Sequence, residues 1–227
     1  MKRTALVVGA SRGLGLGLAR ELLANDWQVI ATERSDSAAL HELAEGSDGA
    51  LRIERVDIND PTQIAELELS LGGAALELLF VNAGVCDEPG QTIGQISDAE
   101  FDWIFKTNVL GPMRIIERLA HLVPDGGVIA AMSSALGIVG AEQSGDFDAY
   151  GASKAALNKL LRIFSARTGG GRSVLAVHPG WVATDMGGSD APLDVETSVR
   201  GIVKVLEGRL GQTGDLFVDY SGQVLPW

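Results

Sequence analysis

Short apolar runs alternate with longer amphipathic stretches along the whole chain. Thr4–Val8, Gln28–Thr32, Leu51–Val56, Leu76–Val81, Val128–Met132 and Ser173–His178 read as buried strands, and Leu216–Val218 fits a seventh. Between them, Gly13–Asn25, Ala38–Glu45, Thr62–Leu71, Asp98–Leu122, Tyr150–Arg167 and Val195–Glu207 carry helical spacing. Regular strand–helix alternation predicts an α/β fold: one mostly parallel seven-stranded sheet, doubly wound, with helices on both faces. No proline-rich or serine-rich linker interrupts the pattern, so residues 1–227 are expected to form a single domain.

Composition narrows the partners. Lys and Arg total 18 against 30 Asp and Glu, a formal net charge of −12. Such a surface repels phosphate backbones and anionic lipid, so nucleic acid and membrane are not expected as partners. The 29 glycines fall in short clusters, not in a repeat. Cys86 is the single cysteine, so no intramolecular disulfide forms, which fits a reducing cytoplasm. The opening Met1-Lys2-Arg3 and Thr4-Ala5-Leu6-Val7-Val8 superficially resemble a secretion signal. The apolar run ends at Gly9, so it is read as a first strand.

That first strand runs into Gly9-Ala10-Ser11-Arg12-Gly13-Leu14-Gly15, which opens the first helix. A glycine-rich turn there lets backbone approach a pyrophosphate, and the helix N-terminus supplies N–H donors. The spacing is G-x-x-x-G-x-G, not the general G-x-G-x-x-G. The second strand ends in Thr32-Glu33-Arg34, where an adenosine ribose is expected. Glu33 suits the ribose 2′-hydroxyl of NAD(H); Arg12 and Arg34 suit a 2′-phosphate. Two arginines against one glutamate favour NADP(H), with NAD(H) the alternative.

Tyr150-Gly151-Ala152-Ser153-Lys154 begins a helix, and residues four apart share a face. A lysine charge beside a phenol favours phenolate, which equips tyrosine for proton transfer at neutral pH. Upstream, a strand ends in Met132-Ser133-Ser134, at the rim where ligands bind in open α/β sheets. Asn82-Ala83-Gly84 closes another strand, and Asn108 sits in a helical stretch that does not favour asparagine. His178-Pro179-Gly180-Trp181-Val182-Ala183-Thr184 turns the chain at the same rim, with Thr184 placed for a carboxamide.

Taken together, Gly9-x-x-x-Gly13-x-Gly15, Asp57, Asn82-Ala83-Gly84, Asn108, Ser134, Tyr150-x-x-x-Lys154 and Pro179-Gly180 resemble the classical short-chain dehydrogenase/reductase family. The resemblance covers essentially the whole chain. Val8 departs from it, standing where the family usually has threonine. The sixteen positions from Ser134 to Tyr150 and the C-terminal stretch from Asp215 to Trp227 are similar to the C-factor/sniffer-like carbonyl reductase branch. The resemblance implies a Rossmann-type fold, hydride exchange between a nicotinamide cofactor and a small carbonyl or alcohol substrate, and a homodimer or homotetramer. Tyr150 would be the general acid/base and Lys154 its modulator and a ribose ligand. Ser134 would orient the carbonyl, and Asn108 would hold a relay water. Asp57 would meet adenine, with Ile58 beside it in the cofactor site. Gly9, Ser11, Arg12, Gly13, Leu14, Gly15, Glu33, Arg34, Asn82, Ala83, Gly84, Pro179, Gly180, Val182 and Thr184 would complete the cofactor site.

The short stretch Asp185–Asp190 stands where the family has a substrate lid, which predicts an open site with loose substrate selection. His41, His121 and His178 lack metal-ligand spacing and are read as surface or packing residues, with no metal expected. Cys86 is read as a small buried or semi-exposed thiol, and Trp181 as a candidate wall at the nicotinamide end. A competing reading is a dinucleotide-binding regulatory protein on the same fold. An extended-family epimerase or dehydratase fits less well, because little chain remains after Lys154 to build a substrate domain.

Overall fold

The computed structural model describes residues 2–141, 145–168 and 170–227. Seven strands form one sheet: β1 (Thr4–Val8), β2 (Gln28–Glu33), β3 (Leu51–Arg55), β4 (Leu78–Val81), β5 (Val128–Met132), β6 (Ser173–His178) and β7 (Gly214–Asp219). Their order is β3-β2-β1-β4-β5-β6-β7, and every neighbouring pair is parallel. Strand order reverses between β1 and β4, the switch point where ligands bind in such sheets.

The strands obey period two, so the inner ones feed both cores. Leu6, Val8, Leu79, Val81 and Ile129 pack on one face with Leu67, Ile116 and Leu161. Ala5, Val7, Leu78, Phe80 and Val128 pack on the other with Leu18, Leu22, Val199 and Ile202. The corresponding helices are α1 (Gly13–Ala24), α2 (Ala38–Glu45), α3 (Pro61–Leu71), α4 (Asp98–Phe105), α5 (Gly111–Leu119), α6 (Asp148–Thr168) and α7 (Val195–Gly208). Local chemistry starts several of them. Asp60 accepts from Thr62 N–H ahead of Pro61, and Ser97 and Asp194 cap α4 and α7 the same way. Gly72, at φ +60, ends α3 in the left-handed conformation.

Three readings of the sequence need correction. The stretch 98–122 is not one helix: a π-helical turn, Lys106–Leu110, separates α4 from α5, and a 3₁₀ turn follows at Ala120–Leu122. Pro112 has no N–H to give the Asn108 carbonyl and its ring crowds that oxygen, so the regular ladder cannot pass. The strand expected from Leu76 begins at Leu78, because Leu76 N–H turns away to the Leu122 carbonyl. β3 is only partly buried: it lies at the sheet edge, and Leu51-Arg52-Ile53-Glu54-Arg55 alternates accordingly. Among the described residues no helix is long and apolar enough to cross a membrane.

Candidate active site

The glycine loop closes over the ends of β1 and β4. Gly9 has φ +86, and a Cβ there would stand 2.8 Å from the Ala83 Cβ. Its N–H donates to Thr32 Oγ1 at 3.0 Å. A Cβ on Gly15 would lie 2.1 Å from the Gly9 carbonyl oxygen, and Asn82 Nδ2 donates to that same oxygen at 2.8 Å. Only glycine permits this approach. Arg12 flanks α1 without capping it, so the first-turn N–H groups of Gly13, Leu14 and Gly15 are left for an anion. A Cβ on Gly13, at φ +53, would stand 3.7 Å from Thr184 Cγ2, so the loop lies beside the segment after β6.

The ribose end is organised differently from the sequence reading. Glu33 is buried, at 5% exposure. Its Oε2 accepts from Ser37 N–H at 2.8 Å, and its Oε1 bonds His41 Nε2 at 2.9 Å. Ser37 Oγ in turn donates to the Ser11 carbonyl at 2.6 Å. The Glu33 carboxylate therefore braces the start of α2 against the glycine loop. Arg12 Nη1 pairs with Asp185 Oδ2 at 2.5 Å, both side chains exposed. Arg34 is exposed, and among the described residues its guanidinium forms no salt bridge. Asp57 Oδ1 accepts from Asn59 N–H at 2.8 Å, and Ile58 is buried against Gly111. Beside them Asn59 Oδ1 is buried without a partner, an acceptor suited to an amino group such as that of adenine.

At the centre, Ser134, Tyr150 and Lys154 come together. Ser134 follows β5 at its rim with its Oγ accepting from Leu136 N–H at 3.2 Å, and its hydroxyl lies within reach of the Tyr150 phenol. Lys154 is buried; its Nζ donates to the Met132 carbonyl at 2.9 Å and stands 5.4 Å from the Tyr150 ring centre. A Cβ on Gly84 would lie 3.3 Å from Asn108 Oδ1 and 3.4 Å from Lys154 Nζ, so this glycine keeps the floor open. Asn108 is fully buried in the π-helical turn. It exchanges hydrogen bonds with both backbone groups of Val85 and donates to Ser153 Oγ at 3.0 Å. Its side chain is thus committed to protein partners.

Burial sets the charges. It pushes the Tyr150 phenol well above its ordinary value, Cys86 and Asp87 push the same way, and the Ser134 hydrogen bond opposes them. This differs from the expected lowering by Lys154. Burial brings the Lys154 ammonium down to about 8, against a pull upward from Cys86. The Cys86 thiol is pushed up to about 12 by burial and by Asp87, with Lys154 opposing.

The segment after β6 is tightly tied. Gly180 has φ +84, and a Cβ there would meet Leu193 at 2.8 Å. Val182 is buried and bridges Leu193, while Ala183 N–H donates to the Leu193 carbonyl. Thr184 Oγ1 accepts from Gly187 N–H at 3.1 Å, and Trp181 Nε1 donates to the Gly187 carbonyl at 2.7 Å. Trp181 itself is 58% exposed. Between Ser134 and Tyr150, residues 142–144 lie outside the described residues.

Sequence reasoning missed two side chains here. His178, read as packing, has a ring nitrogen, Nδ1, that accepts from Ala135 N–H at 3.2 Å, directly behind Ser134. Burial lowers its pKa, which favours the neutral, accepting ring; Asp219 opposes. Asp87, buried, accepts from the backbone N–H groups of Ala149 and Tyr150. Its only local signal was its place three residues beyond Gly84. Among the described residues no group of His, Cys, Asp and Glu side chains is placed to hold a metal ion.

Comparison with known proteins gives a consistent picture. The short chain dehydrogenase family matches residues 3–192. C-signal of Myxococcus xanthus is 37% identical over 160 residues, 67% of this chain and 93% of that protein. A short-chain dehydrogenase/reductase from Burkholderia multivorans, solved with bound NADP, is 44% identical with TM-score 0.96, over 100% of both chains. The carbonyl reductase Sniffer of D. melanogaster is 31% identical with TM-score 0.86, again over 100% of both chains.

Proposed function

The chain belongs to the short-chain dehydrogenase family, and on that footing we propose that it is an NADP(H)-dependent oxidoreductase acting on a small carbonyl or alcohol. The observation that carries this reading is the meeting of Ser134, the Tyr150 phenol and the buried Lys154 ammonium beside the glycine loop.

The residues present fit the cofactor. Gly9, Gly13 and Gly15 form a cradle that a Cβ would fill, Asn59 offers an orphaned acceptor near Asp57, and two arginines are exposed, Arg12 in the glycine loop and Arg34 just after β2. Ser11, Arg12, Gly13, Leu14 and Gly15 would hold the phosphates, with Arg12 leaving Asp185 for the 2′-phosphate. Asp57, Ile58, Asn82, Ala83 and Gly84 would line the adenine and ribose side. Pro179, Gly180, Val182 and Thr184 would hold the nicotinamide end. Glu33 acts through the loop it braces. The Burkholderia relative, bound to NADP, supports the choice over NAD(H).

When bound, the cofactor supplies or takes the hydride. Ser134 Oγ orients the substrate carbonyl. In reduction the carbonyl carbon gains the hydride and its oxygen takes the Tyr150 proton. A phenol held above its ordinary pKa arrives protonated, which suits a reductase. Lys154 steadies the resulting phenolate and meets the ribose, while Asn108 holds the floor through Val85. A regulatory binder has no use for this set.

The seven strands share one sheet, which supports one catalytic domain over residues 1–227. Trp103, Leu110 and Ile163 are exposed on α4, the π-helical turn and α6, which supports self-association through these helices in a homo-oligomer. Side-by-side fluorescence titration with NADPH and NADH tests the cofactor. NADPH should bind at least tenfold more tightly, and Arg12→Ala with Arg34→Ala should abolish the difference. Tyr150→Phe should retain NADPH and lose turnover of an aldehyde and ketone panel. Binding of neither nucleotide would overturn the reading.

A further inference from the structure

Tyr150 enters the site on the first turn of α6, and that turn is held from elsewhere in the chain. Phe147 precedes it at φ +64, a left-handed conformation that bulky side chains seldom adopt. The Phe147 carbonyl accepts from Gly151 N–H at 2.8 Å, so Phe147 occupies the capping position. It brings no side-chain acceptor there, where serine, threonine or aspartate would satisfy the turn's exposed N–H groups. Asp87 does so from the loop after β4. Its Oδ1 accepts from Tyr150 N–H at 3.0 Å and its Oδ2 from Ala149 N–H at 3.2 Å. Asp87 is only 5% exposed. A second tie runs in the opposite direction, from Ile93 N–H to Asp148 Oδ2 at 2.9 Å.

We propose that Asp87 is a positioning residue for Tyr150: clamping the first turn of α6, it fixes where the phenol meets Ser134. The assignment rests on Tyr150 being the proton donor. A buried carboxylate is stable there because two N–H donors and the positive end of a helix replace its water. Asp87 lies three residues beyond Gly84, whose backbone packs toward Asn108 and Lys154. Any shift of this loop is therefore passed directly to the phenol.

The clamp also has an electrostatic side. Asp87 and Cys86 reach Tyr150 from the loop, Lys154 from its own helix and Ser134 from the end of β5, while Asp148 sits at the outer end of the turn. Burial is the main reason the phenol stays protonated, and Asp87 adds negative field in the same direction.

The test compares wild type with Asp87→Asn and Asp87→Ala, each saturated with NADPH or NADP⁺. Asp87→Ala is expected to lower kcat about 10- to 100-fold, since misplacement near an ångström has that effect, with NADPH Kd changed less than about twofold. Asp87→Asn, which keeps one acceptor, is expected to lose less. In alcohol oxidation its acidic limb should move to lower pH, because phenolate forms more easily. Amide exchange at Ala149 and Tyr150 should quicken about tenfold or more in Asp87→Ala, with Leu157 and Leu161 unchanged. Unchanged exchange at those two amides would overturn the clamp. Activity falling only in step with Tm, with no shift of the pH profile in Asp87→Asn, would also overturn it. If wild type turns over no carbonyl, hydride transfer by this site fails, and the exchange measurement still decides whether Asp87 holds the turn.

Discussion

Replacing Gly15 with alanine places a methyl carbon 2.1 Å from the Gly9 carbonyl oxygen and 2.7 Å from Asn82 Nδ2. Ordinary heavy-atom contact is about 3.5 Å, so loop and helix must separate by about 1.4 Å. Neither neighbour is a flexible tip: one is backbone, and the other is held by its bond to that backbone at 2.8 Å. Overpacking of this kind costs about 1–3 kcal/mol, and losing the Asn82–Gly9 hydrogen bond adds about 1 kcal/mol. The sum, about 2–4 kcal/mol, corresponds to a Tm lower by about 4–16 °C for a chain of this length. Because the same shift opens the phosphate cradle, NADPH affinity should fall at least about tenfold, or 1.4 kcal/mol. Scanning fluorimetry with and without NADPH reads both. Gly72→Ala is the control: it has φ +60 but nothing within 4 Å of its new Cβ. It should cost only about 1 kcal/mol of left-handed strain and leave NADPH binding alone. If Gly15→Ala matched Gly72→Ala in Tm and kept wild-type NADPH affinity, the close-approach argument would be wrong.

Two further outcomes follow from the charges. Cys86, pushed up to about 12, should react with iodoacetamide at pH 8 more than about 100-fold slower than free cysteine, as mass spectrometry would show; rapid labelling would refute the raised pKa. His41 is raised above its usual value mainly by its hydrogen bond to Glu33. Its contribution to stability is therefore full below about pH 6.5 and is lost as pH rises through the elevated value. Histidine ring shifts by NMR should report that value, and Glu33→Gln should return it toward normal.

Much of the architecture was legible because its causes are local. Buried parallel strands demand short apolar runs, and a helix start demands caps such as Ser97 and Asp194. The glycines of the loop and the tyrosine and lysine one helical turn apart could likewise be read from spacing alone. The interruption at Lys106–Leu110 was also written locally, in Pro112, but the helical periodicity running through it hid the break.

The pairing of charges was decided elsewhere. Glu33 and Arg34 are neighbours, and their residue types alone suit opposite cofactors. Tertiary structure buries the first against Ser37 and His41 and leaves the second in solvent. Arg12 meets Asp185 across 173 positions, and Asp87 meets Tyr150 across 63. Hydrophobic period is a property of adjacent residues, so the sequence by itself determined the strands, the helices and the types of residue at the site. Which donor faces which acceptor depends on how those elements pack, and the low dielectric of the packed interior then decides which groups carry charge.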